Sequence, residues 1–294
     1  MLNNPLKFKI DWPSCVGTTP NQAIGIWVAP SPGTESTEVV MKYGDSDLAD
    51  GSCAGTDIFI KYKDFESGNN GNSIDSVDDD WTVVSGGCEI NTAQKFEGTR
   101  SLYIHGVDPP ANAHFSHPAG DGYAFSARMR KNGSITNAVP FLHGNGEKQV
   151  GLYFHEYKNI KYYNAAGSLI DTTIDALENV WFLYEVRNIN WSAGTCDYWF
   201  DGACIAQGAQ MRNTADAADI IRVYDYEVHA GNSYTYIDNL IVRKYVHPEP
   251  VWGEWGEEEL IDSGPVGVKT WNTIPSVNIK TWNDVLWNEI KSIT

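Results

Sequence analysis

Short apolar runs that alternate with polar residues and stop at Gly, Asn or Asp recur through almost all of Leu6–Val246. A chain patterned with a period of two and almost no helical periodicity has little choice but to pair strands and stack the resulting sheets. The runs include Ala23–Val28, Glu38–Tyr43, Ser101–His105, Tyr123–Met129, Val150–His155, Trp181–Arg187, Ile221–Val228 and Tyr236–Arg243. Many short strands with turn residues at their joints predict an all-β jelly-roll sandwich, its helices confined to turns such as Thr214–Ala218. At 294 residues the chain is long enough for one large core or two smaller ones.

Charge narrows the partners. A net charge of −17 and a pI near 4.7 oppose any large phosphate-neutralising surface, so nucleic acid is not an expected ligand. No apolar run approaches the length that crosses a bilayer, and the first ten residues lack the apolar core and cleavage site of a signal peptide, so neither membrane insertion nor Sec export is expected. Five cysteines are scattered without a CxxC pair, against a zinc knuckle or a dense disulfide frame. Asp201-Gly202 reads as a two-residue hairpin turn. That register sets Phe200 opposite Ala203 and Trp199 opposite Cys204, which places Cys196 and Cys204 on opposite faces and unbonded.

The chain divides into a small β-rich unit at 1–62, the sandwich at 63–247, an acidic Pro/Gly-rich linker at 248–265 and a tail at 266–294. Within the sandwich unit, Ser67–Asp80 reads as a long polar loop. The tail repeats one phrase, Val268-Lys-Thr-Trp-Asn272 and Ile279-Lys-Thr-Trp-Asn283, and then ends on Leu286-Trp-Asn-Glu-Ile-Lys-Ser-Ile293. Three Trp exceed what so short a segment can bury by itself. Because the body has strands enough to close its own sandwich, Trp271, Trp282, Leu286, Trp287 and Ile290 are expected to bury between chains, in a homo-oligomer or against other subunits. Val268–Trp271 alternates like a strand, whereas Trp282, Leu286 and Ile290 are spaced for one helical face.

Three resemblances carry these patterns further. Pro5–Trp12, Ala23–Pro30, Val39–Gly44 and Asp57–Glu66 resemble the second half of an uncharacterised β-rich domain of archaeal and bacterial surface proteins and viral structural proteins. Phe65-Glu-Ser-Gly, Trp81-Thr-Val-Val-Ser-Gly-Gly, Glu97-Gly-Thr-Arg-Ser-Leu-Tyr, Cys196-Asp-Tyr-Trp-Phe-Asp-Gly and Tyr236-Ile-Asp-Asn-Leu-Ile-Val resemble concanavalin A-like lectin/glucanase jelly rolls. The Trp-Asn…Ile-Lys-Ser-Ile ending is similar to those of phage and archaeal-virus structural proteins.

The jelly-roll resemblance implies a structural calcium (Ca2+) joining first and last strands, with Asp64, Glu66 and Asp238 as its carboxylates. It also implies sugar binding on aromatic platforms, a ring packing on the apolar face of a pyranose. Alternation along Val150–His155 turns Tyr153 and His155 away from Val150, Leu152 and Phe154, and Tyr157, Trp191 and Trp199 are the candidates to extend that surface. The same residue types also serve ordinary cross-strand packing. A retaining glycosidase would need two carboxylates about 5 Å apart. Asp225 and Glu227 alternate on one strand, with Glu185 on another, but the longer run of alternating acids that marks laminarinase-like relatives is missing, so no enzymatic activity is expected.

These readings point to a virion structural protein, a fibre, spike or capsid decoration at the virion surface, whose jelly roll binds cell-surface glycans for host attachment and whose tail docks on other virion subunits. The alternative is a carbohydrate-binding module of a cell-surface or secreted adhesin.

Overall fold

Alternation in the sequence becomes alternation between the two faces of a strand. Along the strand Trp181–Asn190, Phe182, Tyr184 and Val186 are buried in the core, while Trp181, Leu183, Glu185 and Arg187 lie on the opposite face. The computed structural model of the protein describes residues 7–11, 25–29, 38–39, 42–43, 55–106, 110–117, 120–132, 139–144, 147–154, 159–212, 218–225, 234–245, 258–261, 268–271 and 274–275. It divides into two units, Phe59–Tyr245 and a second made of Met1–Ile58 with Val246–Thr294.

In chain order the second unit begins with strands β1 (Lys7–Asp11), β2 (Gly25–Ala29), β3 (Glu38–Val39) and β4 (Lys42–Tyr43), then one helical turn at Gly55–Ile58. The larger unit follows with β5 (Lys61–Lys63), β6 (Trp81–Ser85), β7 (Gly87–Asn91), β8 (Ser101–His105), β9 (Asn112–Ser116), β10 (Tyr123–Asn132), β11 (Val139–Gly144) and β12 (Glu147–Val150). It continues with β13 (Leu152–Phe154), β14 (Asn159–Tyr163), β15 (Leu169–Asp175), β16 (Trp181–Asn190), β17 (Thr195–Phe200), β18 (Ala203–Gln210), β19 (Ile220–Tyr224) and β20 (Tyr234–Lys244).

The larger unit is an all-β sandwich. One sheet has the order β18-β17-β16-β10-β20-β8-β7, with β5 also paired to β20; the other has the order β12-β11-β19-β9-β6, and β13-β14-β15 form a third, smaller sheet. Leu102, Ile104, Phe125, Met129 and Phe182 from the first sheet share one core with Trp81, Phe115, Ile221 and Val223 from the second. Each such buried side chain contributes about 1.5–3 kcal/mol.

The hairpin register agrees with the sequence reading: Trp199 opposes Cys204 and Phe200 opposes Ala203 across Asp201-Gly202, both of which have positive φ. Cys196 is buried, Cys204 is exposed on the other side, and both are free thiols. Burial pushes the Cys88 and Cys196 thiols up to about 12. In the native protein iodoacetamide is therefore expected to label Cys204 and to spare Cys88 and Cys196 until denaturant is added, as peptide mass mapping would record.

Two expectations are corrected. The run Val150–His155 is broken into β12 and β13, and Tyr153 does not face solvent. Leu152, Tyr153 and Phe154 are all buried, and on the face that alternation leaves over Tyr153 meets the Tyr163 ring of the neighbouring strand β14 edge-on at 4.7 Å. The linker read at 248–265 contains a strand, β21 (Glu258–Ile261), paired with β22 (Val268–Trp271), which pairs in turn with β4; β23 (Ile274–Pro275) pairs with β3. The start of the tail thus joins the sheets of the N-terminal strands, with Trp271 opposite Glu258. Trp282, Leu286, Trp287 and Ile290 lie outside the described residues, as does the turn at Thr214.

Candidate functional site: the outer face of the large sheet

The core side of the large sheet is mostly apolar, and its outer side mixes rings with charged and polar residues. Register carries one row across five strands, Glu89 to Tyr103, Tyr103 to Tyr236, Tyr236 to Arg130, and then on to Trp181. A second row sets Ser126 against Glu185, Glu185 against Trp199 and Trp199 against Cys204. Strand alternation puts both rows on the outer face.

At the β17 end, Arg187 and Glu185 sit two residues apart on one strand and bond side by side, Nη2 to Oε2 at 2.6 Å and Nε to Oε1 at 3.3 Å. Both side chains are nearly fully buried. The Arg187 guanidinium lies over the Trp199 ring at 4.1 Å, and the indole N–H of Trp199 is buried without an acceptor. In the middle, the loop 92–100 lies against the face. Arg128 stacks on Phe96 at 4.4 Å, Phe96 meets Trp181 edge-on at 6.0 Å, and the amides of Phe96 and Glu97 donate to Asp238.

At the β7 end, Tyr103 stacks on His105 at 4.6 Å and packs against Tyr234 at 5.3 Å and Tyr236 at 5.1 Å. His105 Nε2 lies 3.5 Å from Glu89 Oε1. The ring has room because Gly87 stands opposite; a Cβ there would come within 2.1 Å of the imidazole. Burial, with neighbouring Tyr236 and Tyr234, pushes the Tyr103 hydroxyl up to about 12, and burial and Tyr234 raise Tyr236, so both stay neutral donors at ordinary pH.

Among the described residues, the expected sugar-binding side chains Tyr153, Trp191 and Trp199 are not brought together on one open surface. Tyr153 is in the core, Trp199 has a ring face covered by Arg187, and His155 and Tyr157 lie outside the described residues. Trp191 is tied down at a turn, its backbone N–H donating to Asp121 and its indole N–H to the Gly120 carbonyl at 2.9 Å. It lines a cavity of about 10 Å³ with His117, Phe125 and Leu142, room for one water and not for a sugar.

The carboxylates expected to share a calcium have other partners. Glu66 accepts from the amides of Thr99 and Arg100 and the Thr99 hydroxyl, Asp238 from the amides of Phe96, Glu97 and Asn239, and exposed Asp64 from the Glu66 amide. Among the described residues no group of three or more His, Cys, Asp or Glu side chains could hold a metal ion. Where the first strand meets the last, the buried cation is an ammonium: Lys63 of β5, paired with β20, bonds Asp78 and Asp80 at 2.7 Å each. Lys61 and Lys63 together hold the Asp80 carboxyl down to about 2.

Asp225 and Glu185 are likewise separated. Asp225 follows β19 in the smaller sheet, buried and accepting from the Gly106 amide, whereas Glu185 is on the outer face of the large sheet and neutralised by Arg187. Glu227 lies outside the described residues. The residues that sequence reasoning missed are Tyr103, His105, Tyr234 and Tyr236. The signal was present as two i, i+2 aromatic pairs, each bound to share one face of its strand.

No protein-family model matches the chain, and no curated protein matches it. Several solved structures are similar to part of it. One is a conserved carbohydrate esterase from the Shiga toxin-encoding bacteriophage phi24B, at 16% identity over 63% of this chain and 100% of that one, with a TM-score of 0.45. Another is the cellulose induced protein Cip1, at 12% identity over 62% of this chain and 96% of that one, with a TM-score of 0.44. A sialidase matches at 12% identity and a TM-score of 0.44 over 56% of this chain, which spans 17% of the sialidase.

Proposed function

We propose that this chain is a structural subunit of a virion whose sandwich holds carbohydrate on the outer face of the large sheet, for attachment to a host, and whose C-terminal segment docks on neighbouring subunits. The observation that carries the carbohydrate half is the composition of that face. It presents Tyr103, His105, Tyr234, Phe96 and Trp181 among Glu89, Arg128 and Arg130, a mixture of ring faces and hydrogen-bonding groups that suits a sugar. The docking half rests on the repeated Lys-Thr-Trp-Asn phrase and the Trp-Asn…Ile-Lys-Ser-Ile ending. The same face would also serve a carbohydrate-binding module of a cell-surface or secreted adhesin, and the tail separates the two readings.

Truncation after Pro275 keeps the strand that pairs with Glu38–Val39 and removes Trp282, Leu286, Trp287 and Ile290. It is expected to convert assemblies of the intact chain into smaller species in light scattering, while glycan-array signals persist. Assembly unchanged by the truncation would remove the docking half, and an array without signals for the intact chain would remove the carbohydrate half.

A further inference from the structure

We infer that the corner of the outer face built from Tyr103, His105, Tyr234, Tyr236 and Glu89 is a subsite for a neutral pyranose. The inference rests on the carbohydrate reading above and assigns it a place and a ligand class.

The place follows from which rings are open. Tyr103 and Tyr234 are partly exposed, His105 is 35% exposed and Glu89 38%, all on adjoining strands of one sheet edge. Among the described residues none of the three tyrosine hydroxyls makes a hydrogen bond. That differs from Tyr184 and Tyr198 in the core, whose hydroxyls meet the amides of Leu152 and Gly151. Elsewhere on the face guanidinium groups cover two of the rings, Arg187 over Trp199 and Arg128 over Phe96. The platform is also held in place by packing: Tyr103 contacts three other rings, and Gly87 leaves room for the His105 imidazole that stacks on it.

The class follows from the groups around the rings. The C–H face of a pyranose packs on an aromatic ring, leaving its equatorial hydroxyls at the rim. There they meet tyrosine hydroxyls, which donate and accept, and the Glu89 carboxylate, whose two oxygens accept from neighbouring hydroxyls. A carboxylated or sulfated sugar would bring its charge against Glu89 on a chain of net charge −17. The nearest guanidinium in the row, that of Arg130, is turned to the carbonyl and side chain of Asn179.

The test is calorimetric titration of the intact chain with neutral disaccharides of gluco, galacto and manno configuration and with sialylated and sulfated counterparts. Binding is expected for a neutral sugar and not for the anionic ones. Tyr234→Ala should weaken it about tenfold or more, while Tyr234→Phe, which keeps the ring, stays within about threefold. Leu177→Ala, an exposed apolar residue elsewhere, should match the parent. Far-ultraviolet circular dichroism of each variant reports folding. Affinity kept in Tyr234→Ala but lost in Trp199→Ala would overturn the subsite and leave the carbohydrate reading standing. Preference for sialylated or sulfated sugars would overturn the ligand class. Failure of the parent to bind any sugar would overturn both.

Discussion

Arg187→Ala is expected to destabilise the larger unit by about 3–5 kcal/mol, because it leaves Glu185 as an uncompensated buried carboxylate. The two side chains are 5% and 3% exposed, and the 2.6 Å contact is the shortest link between them. The guanidinium also covers Trp199 at 4.1 Å, so the variant uncovers an indole as well as a charge. Urea unfolding followed by tryptophan fluorescence reads both effects, a lower midpoint and a native-state emission shifted to longer wavelength. The double variant Arg187→Met with Glu185→Leu should recover most of the loss, since both the charge and its need for a partner are removed together. A cost below about 1 kcal/mol for Arg187→Ala would mean that Glu185 behaves as a solvated surface acid.

The same pair marks the boundary of what the sequence discloses. Alternation along Trp181–Arg187 already puts Glu185 and Arg187 on one face and Phe182 and Tyr184 on the other, and the structure agrees. The Asp201-Gly202 turn fixes its hairpin register because a two-residue loop leaves no slack, so the opposition of Trp199 to Cys204 was legible too. That Arg187 covers Trp199 was not, for it depends on the pairing of β16 with β17 in addition to that of β17 with β18. Tyr153 fails for another reason. Alternation says that two residues face opposite ways, and it is silent on what packs on the second face, where the Tyr163 ring of the neighbouring strand β14 meets Tyr153. The platform of Tyr103 and Tyr234 joins residues 131 positions apart through the pairing of β8 with β20, a contact no local pattern encodes. For Asp238 and Glu66 the sequence indicated carboxylates at a structural joint, but their partners are amides of the loop 96–100, and any residue type supplies an amide.

Asp238 supplies the pH dependence. Burial pushes its carboxyl from an ordinary 3.8 up to about 8, against the amides of Glu97, Phe96 and Asn239, which draw it down, while nearby Glu66 adds to the rise. Below about pH 4 the group is protonated whether the chain is folded or not, and its contribution to stability is complete. Between about 4 and 8 the unfolded chain releases this proton and the folded chain keeps it, so unfolding gains in favour as pH rises, by on the order of 5 kcal/mol across the window. Above about 8 both forms are ionised and the loss is finished. Asp80 acts in the opposite sense and outside the window: its carboxyl, held at about 2 by Lys61 and Lys63, loses its contribution only as pH falls through that value. Relief of the −17 net charge also raises stability toward acid, so the parent's slope alone does not isolate Asp238. Asp238→Asn does, since it keeps an oxygen for the loop amides and removes the proton. Between pH 5 and 8 the melting temperature of the parent is expected to fall markedly more than that of Asp238→Asn. Parallel curves would show that Asp238 is ionised in the folded protein, its three amide donors outweighing its burial.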